Sequence, residues 1–425
     1  MIDKGLLESV LSLQRKKTEN RAGERLFPRM AEPEIDTESP QAQLITGVRG
    51  CGKTSLCLKA LRERGVRFAY ADFSDERLRG LGSDQLNDVL EVLYMINGDF
   101  SCLFLDEIQS VGGWELFANR LLRKRMHVIA AGSGAGLLSG RFATHLTGRN
   151  KVTELFPLSF REFCMANDVD TESRTAKAEA FRRAAFDRYL MQGGFPEVRS
   201  AEESRRYAAG LVSDSLRDAE ERSRISCRKA FESMTEHLLC SVPCVAVPKD
   251  FAGKFGFRSD HTARKYIDCL KSAYLLTGIQ KYSPECRIRL TQEKLYAADV
   301  ALMPEGEKAL SAAGQDRRLG TIVLAHLIRR CRAEGLDARY LSDRSGECDF
   351  AVCKDNKVRE AIQVSSDISD RAARRLKIRG LLLAARRTGC SDLLLLTHHS
   401  RDDTEVSGCR IRIRPVYEWC LEPGI

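Results

Sequence analysis

No C-x-x-C pair occurs in this sequence, although it holds fifteen cysteines. That absence removes the common zinc-ribbon and redox spacings, and a chain of 425 residues does not need the disulfide frame of small secreted domains. Several cysteines lie in apolar stretches such as SCLFLDE, where a free thiol behaves as a small hydrophobe. Structural thiols in a reducing compartment are the expected reading. No apolar run approaches the length of a bilayer-crossing helix, and the opening MIDKGLLESVLSLQRKK lacks a signal-peptide core. A cytoplasmic protein without a membrane partner is expected. Internal repeats and low-complexity linkers are absent as well, which excludes array architectures. Charge of one sign is only mildly in excess: 68 Lys and Arg against 59 Asp and Glu leave a net +9. Such a balance permits an acidic partner such as nucleic acid without demanding one.

What is present is a rhythm. After an amphipathic helix and a polar, proline-containing approach over residues 1–40, short apolar runs alternate with helically spaced segments. QLIT, VRFAYADFS, CLFLD, MHVIAAGS and VTELFPL read as strands, and KTSLCLKALRER, SDQLNDVLEVLYMI and WELFANRLLRK as the intervening helices. Strands separated in this way imply a parallel sheet covered on both faces. Beyond Ser159 the pattern turns helical, and from about residue 290 it mixes strands with helices. The length itself implies roughly two to four domains.

The first of those strands breaks into Gly47-Val48-Arg49-Gly50-Cys51-Gly52-Lys53-Thr54, which satisfies G-x-x-x-x-G-K-[ST] with a strand before it and a helix after it. Glycines let the backbone curl so that successive N–H groups point inward at a phosphate chain, and the following helix adds the positive end of its dipole. Gly47, Gly50, Cys51, Gly52, Lys53, Thr54 and Ser55 are the expected nucleotide contacts. Lys53 neutralises the β- and γ-phosphates, and Thr54 offers its hydroxyl to Mg²⁺. A cradle alone hydrolyses nothing. CLFLDEIQ ends a buried strand on Asp106, a second Mg²⁺ group, and Glu107, placed to polarise the attacking water. HVIAAGS ends on Ser133, a candidate sensor of the γ-phosphate. Arg149, with Arg141 as the alternative, is a candidate finger delivered to a neighbouring site.

Taken together, ITGVRGCGKTSL, YADFSDERL, FLDEIQSVGGWELFANRL, GSGAGLLSGRFATHLTGR, LFPLSFREF and YLMQGGFPEV resemble the AAA-type P-loop ATPases of bacteria and archaea whose C-terminal domain has no characterised function. KLYAADVAL, ECDFAV, IQVSSDISD and IRPVYEWCL extend the resemblance along nearly the whole chain, and that C-terminal domain looks related to the PD-(D/E)xK nuclease superfamily. The resemblance implies an α/β fold: a P-loop NTPase parallel sheet with a helical lid, a winged-helix module and an α/β nuclease-like C-terminal domain. The expected boundaries are 1–158, 159–229, 230–288 and 289–425.

Within 230–288, a short helix from Asp250 to Phe255 turns at Gly256 into a second helix that starts at Ser259 or Asp260. Ala263, Tyr266, Ile267 and Leu270 form its apolar stripe, leaving Arg258, His261, Arg264, Lys265 and Lys271 for DNA phosphates. In the last segment Glu347 and Asp349 match the acidic strand of the nuclease resemblance. Gln363-Val364-Ser365 stands where E-x-K is expected, and Gly320 or Thr321 where a helix acid belongs. A degenerate nuclease fold kept for binding or assembly follows.

The function expected is ATP- and Mg²⁺-dependent hydrolysis driving a conformational switch through closure of the lid. Two other readings stand beside it: a nucleotide-gated nucleic-acid-binding regulator or defence protein, and an active DNA nuclease. A homo-oligomer or protein partner is compatible with each.

Overall fold

The computed structural model describes residues 2–20, 27–134, 137, 149–223, 225–284, 293–304 and 311–422. They fall into two compact units, 1–157 and 158–425.

The first unit opens with helix α1 (Lys4–Asn20), whose residues Leu7, Val10, Leu11, Gln14 and Thr18 recur at helical spacing and are buried. This stripe packs on helix α3 (Leu86–Asn97) and strand β2 (Phe68–Asp72). Gln14 reinforces the join: its amide donates to Asp72 O and accepts from Asp72 N–H, both at 2.9 Å.

Five parallel strands follow the order β2-β3-β4-β1-β5, with β1 at Ala42–Gly47, β3 at Cys102–Asp106, β4 at His127–Ser133 and β5 at Asn150–Leu155. Helices α2 (Lys53–Glu63), α3 and α4 (Trp114–Arg123) make the crossovers. Every residue of β1 and β3 is buried, as strands covered on both faces must be, which is why they read as apolar runs without alternation. Register then fixes the functional edge: Gly47 lies opposite Ser133, and Asp106 opposite Ala131, at the carboxyl ends of their strands.

The second unit begins with helix α5 (Phe160–Ala166), closed by a capping box. Ser159 Oγ accepts from Glu162 N–H at 3.2 Å, and Glu162 Oε2 accepts from Ser159 N–H at 2.8 Å. Helices α6 (Ala176–Gln192), α7 (Ala201–Ser223) and α8 (Arg228–Ser241) follow. Strand β6 (Cys244–Ala246), helices α9 (Pro248–Phe255) and α10 (Asp260–Ser272), and strands β7 (Leu276–Lys281) and β8 (Glu293–Ala297) come next, the three strands pairing antiparallel in the order β6-β8-β7.

This small sheet does not end there. β7 pairs parallel with β9 (Asp337–Asp343), joining one nine-stranded sheet of order β13-β14-β12-β11-β10-β9-β7-β8-β6. Its remaining strands are β10 (Gly346–Lys354), β11 (Lys357–Ser365), β12 (Leu393–Thr397), β13 (Asp402–Val406) and β14 (Cys409–Pro415), covered by helices α11 (Ala312–Glu334) and α12 (Arg371–Thr388). The boundary expected at 288/289 falls among residues outside the described set. Fourteen of the cysteines are described, all free and most buried; Cys286 lies outside the described residues.

Candidate functional site

The loop between β1 and α2 takes its shape from residues without side chains. Gly47 has φ of 147°, and a Cβ there would lie 2.0 Å from Leu155 O on the neighbouring strand. Gly52, at φ of 97°, turns the chain into α2. Lys53, 5% exposed, folds its ammonium back onto the loop and donates to Gly47 O at 3.2 Å and Val48 O at 3.0 Å. Cys51 is fully buried beneath the loop, and burial pushes its thiol above the ordinary range, which makes it packing rather than a nucleophile.

Thr54, the second residue of α2, donates its hydroxyl to Asp106 Oδ2 at 2.5 Å, and Tyr70 OH donates to the same oxygen at 3.2 Å. Burial, then the charge of Glu107, lifts the Asp106 carboxyl to about 7. Glu107 behaves oppositely. Burial pushes it up, but the charge of Lys53 and hydrogen bonds from Ser133 and Gln109 hold it below the usual carboxylate range. The extra proton of this acid pair therefore resides on Asp106, and Glu107 stays ionised. Its Oε2 accepts from Ser133 N–H at 3.0 Å, from Ser133 Oγ at 2.9 Å and from Gln109 Nε2. A backbone φ of 51° at Glu107 turns the chain sharply out of β3, with its N–H held by Ala131 O at 2.8 Å.

The geometry thus brings Lys53, Thr54, Asp106, Glu107 and Ser133 to one edge of the sheet, with β4 lying between the loop strand and the acid strand. Ser55 continues α2 behind Thr54. A hydroxyl and two carboxylates are hard oxygen donors, the set Mg²⁺ prefers, and a divalent cation beside them relieves the repulsion that raises Asp106. Arg149 is not part of this group. It precedes β5 at the opposite end of the ladder, where its carbonyl accepts from Ala42 N–H at 2.9 Å and its guanidinium donates to Asn119 Oδ1 at 3.3 Å. The length of β1, about 16 Å, separates it from the loop of its own chain. Arg141 lies outside the described residues.

One residue here has no sequence signal. Arg29, 8% exposed, donates to Cys51 O within the loop at 2.8 Å and to Phe156 O at 2.6 Å, tying the approach segment to the phosphate loop and to the end of β5.

The second unit holds another charged cluster. Asp349 Oδ2 accepts from Val364 N–H at 3.0 Å, and Gln363 Oε1 accepts from Asp349 N–H at 3.0 Å. Lys294 Nζ lies 2.5 Å from Glu347 Oε1 and 3.5 Å from Asp349 Oδ1. Lys377 Nζ lies 3.8 Å from Asp349 Oδ2 and 3.6 Å from Asp316 Oδ2. Asp316 stands on α11 one turn before Gly320, and the two lysines that meet these acids come from β8 and α12. On α10, Ser259 caps as expected and Arg258, His261 and Lys265 are exposed. Arg264 is half-buried, and Lys271 is committed to Glu293 at 2.6 Å, which removes it from the expected phosphate set.

Comparison with known proteins agrees with this geometry. Residues 39–164 match the family described as "AAA domain", and residues 183–310 match a domain of unknown function (DUF8612). The uncharacterized protein MJ1544 of Methanocaldococcus jannaschii is 29% identical over 353 residues, covering 79% of this chain and 77% of that protein. An uncharacterized protein of Haemophilus influenzae is 27% identical over 398 residues, covering 89% and 94%. Among solved structures, the Walker-type ATPase PABY2304 of Pyrococcus abyssi shares 16% identity over 66% of this chain and 95% of that one, at a TM-score of 0.42. The five-stranded parallel sheet, glycine loop and acid pair all lie within the segment 39–164 that matches the AAA domain family, inside a longer chain.

Proposed function

We propose that this protein binds Mg-ATP at the β1–α2 loop and hydrolyses it, using the cycle to switch the conformation of the rest of the chain. The observation that carries the reading is the contact of Thr54 with Asp106 beside an ionised Glu107 that Ser133 holds in place. Loop amides and Lys53 hold the phosphates, the ammonium exchanging its two loop carbonyls for phosphate oxygens. Thr54 and Asp106 hold Mg²⁺, whose chemistry is to neutralise phosphate charge. Glu107 accepts the proton of the attacking water, a role that requires the carboxylate to be ionised. Ser133, bonded to Glu107 through both N–H and Oγ, reports the state of that carboxylate to β4. Arg149 serves as a finger only through a second copy of the chain, so that role stands or falls with oligomerisation.

Purified K53A should lose nucleotide binding, while E107Q should bind Mg-ATP as the parent does and turn over about 10²- to 10⁴-fold more slowly. Parent-like turnover by E107Q removes that residue from its role.

For the second unit, the reading is a winged-helix module feeding a nuclease-like fold that binds or assembles rather than cuts. Exposed Arg258, His261 and Lys265 near the start of α10 support DNA contact. Two lysines already paired with Glu347, Asp349 and Asp316 support a site whose acids are neutralised from within. Salt-dependent DNA affinity that differs between ATP and ADP is the expected result. Mg²⁺-dependent DNA cleavage that disappears in D349A contradicts the non-cutting reading.

A further inference from the structure

In the second unit, far from the cluster around Asp349 in sequence, two adjacent histidines meet an aspartate 211 residues away from the first of them. His398 and His399 follow β12, in a turn that Thr397 closes by donating its hydroxyl to Ser400 O at 2.6 Å. Asp187 comes from α6. His398 Nε2 lies 2.8 Å from Asp187 Oδ1, and His399 Nε2 lies 3.9 Å from that same oxygen. The imidazoles stack, with centroids 3.8 Å apart and planes inclined by 23°. One donor atom from each residue lies within 4.8 Å of the other two.

An ordinary ion pair accounts for only half of this. His398 and Asp187 satisfy one another, but His399 turns its Nε2 toward an oxygen too distant for a hydrogen bond. The nearby cation that could compete, Arg183, is engaged by Glu179 at 3.2 Å and by Tyr417 OH at 3.1 Å. His398 is held in place: its side chain is 15% exposed, and its ring lies 6.0 Å from that of Phe186. Around a tetrahedral zinc with bonds of about 2.0–2.1 Å, donors sit about 3.3–3.5 Å apart. The observed 2.8 and 3.9 Å bracket that spacing, so a shift of about half an ångström of the half-exposed Asp187 carboxylate away from His398, with a small rotation of His399, suffices.

We propose that Asp187, His398 and His399 form a binding site for a borderline divalent transition ion of the Zn²⁺ class, with water in the fourth position. Two imidazoles and one carboxylate match the donor preference of such ions rather than of Mg²⁺ or Ca²⁺. The ion ties α6 to the end of β12 and acts independently of the nucleotide site.

Cobalt(II) is the probe, titrated into the metal-free full-length chain with excess Mg²⁺ and no nucleotide. One equivalent should bind with the ligand-field absorption of a four-coordinate ion, bleached by Zn²⁺. H399A, at a side chain 46% exposed, should fold as the parent does and lose that band, and D187N should bind more weakly by tenfold or more. Absence of the band at one equivalent overturns the proposal, as does a band unchanged in H399A. A thiolate-to-cobalt charge-transfer band also overturns it, because the ion would then sit on cysteines such as the exposed Cys227 and Cys240.

Discussion

Replacing Asp106 by asparagine should make the nucleotide-free first unit more stable, and by an amount that depends on pH. Asp106 is 4% exposed, and burial together with Glu107 lifts its carboxyl from 3.8 to about 7. Between those values the folded chain holds a proton that the unfolded chain has released. Stability therefore falls as pH rises from about 4 to 7, and the full cost is present above 7. A gap of about three pH units corresponds to about 4 kcal/mol. Asparagine removes the charge yet keeps one oxygen for both hydrogen bonds, since Thr54 and Tyr70 share Oδ2.

The chain has two tryptophans, Trp114 in the first unit and Trp419 in the second, both buried. Urea unfolding followed by Trp114 fluorescence in a W419F background therefore reads the first unit. At pH 8, D106N should exceed its parent by as much as about 4 kcal/mol, with the gap closing near pH 4. Adding Mg-ATP should stabilise the parent and leave D106N nearly unchanged. A D106N domain no more stable than its parent at pH 8, or a gap that stays constant with pH, refutes the reasoning.

Other outcomes follow from single contacts. R29A leaves Cys51 O and Phe156 O without their guanidinium donor, so the domain should lose roughly 1–3 kcal/mol in urea titrations and bind fluorescent ATP more weakly, with R29K restoring little of either. G47A drives a methyl group into Leu155 O, and circular dichroism with Trp114 emission should report a misfolded ATPase domain. K294M takes the lysine from Glu347 and leaves Asp349 with Lys377 and the Val364 N–H, and Trp419 emission in a W114F background should show a loss of roughly 1–3 kcal/mol, moderated because Glu347 is 40% exposed.

Much of the first unit was legible because its signals are local. The glycine spacing, the four apolar residues before Asp106 and the run ending at Ser133 each occupy under a dozen consecutive positions, and parallel pairing then aligns their carboxyl ends. What escaped is what the fold assembles from afar. Arg29 lies in a polar approach with no periodicity, and it meets Cys51 and Phe156 only after β1 and β5 have paired. Asp316 was displaced by one turn because a helix offers several positions for an inward acid, and only packing chooses among them. Lys294 and Lys377 belong to a strand and a helix outside the expected motif. Arg149 reads as a candidate finger for a neighbouring site, and only the pairing of its carbonyl with Ala42 N–H shows that it lies at the far end of the ladder from the loop of its own chain.

The nine-stranded sheet has a practical bearing on how this protein can be cut apart. A break near 288 would separate β7 from β9 and bare a row of main-chain donors and acceptors on each fragment. Either half would then present an open border ready to recruit another copy of itself. Fragments designed at that point are therefore expected to precipitate, and the piece that travels as a whole begins at Leu158.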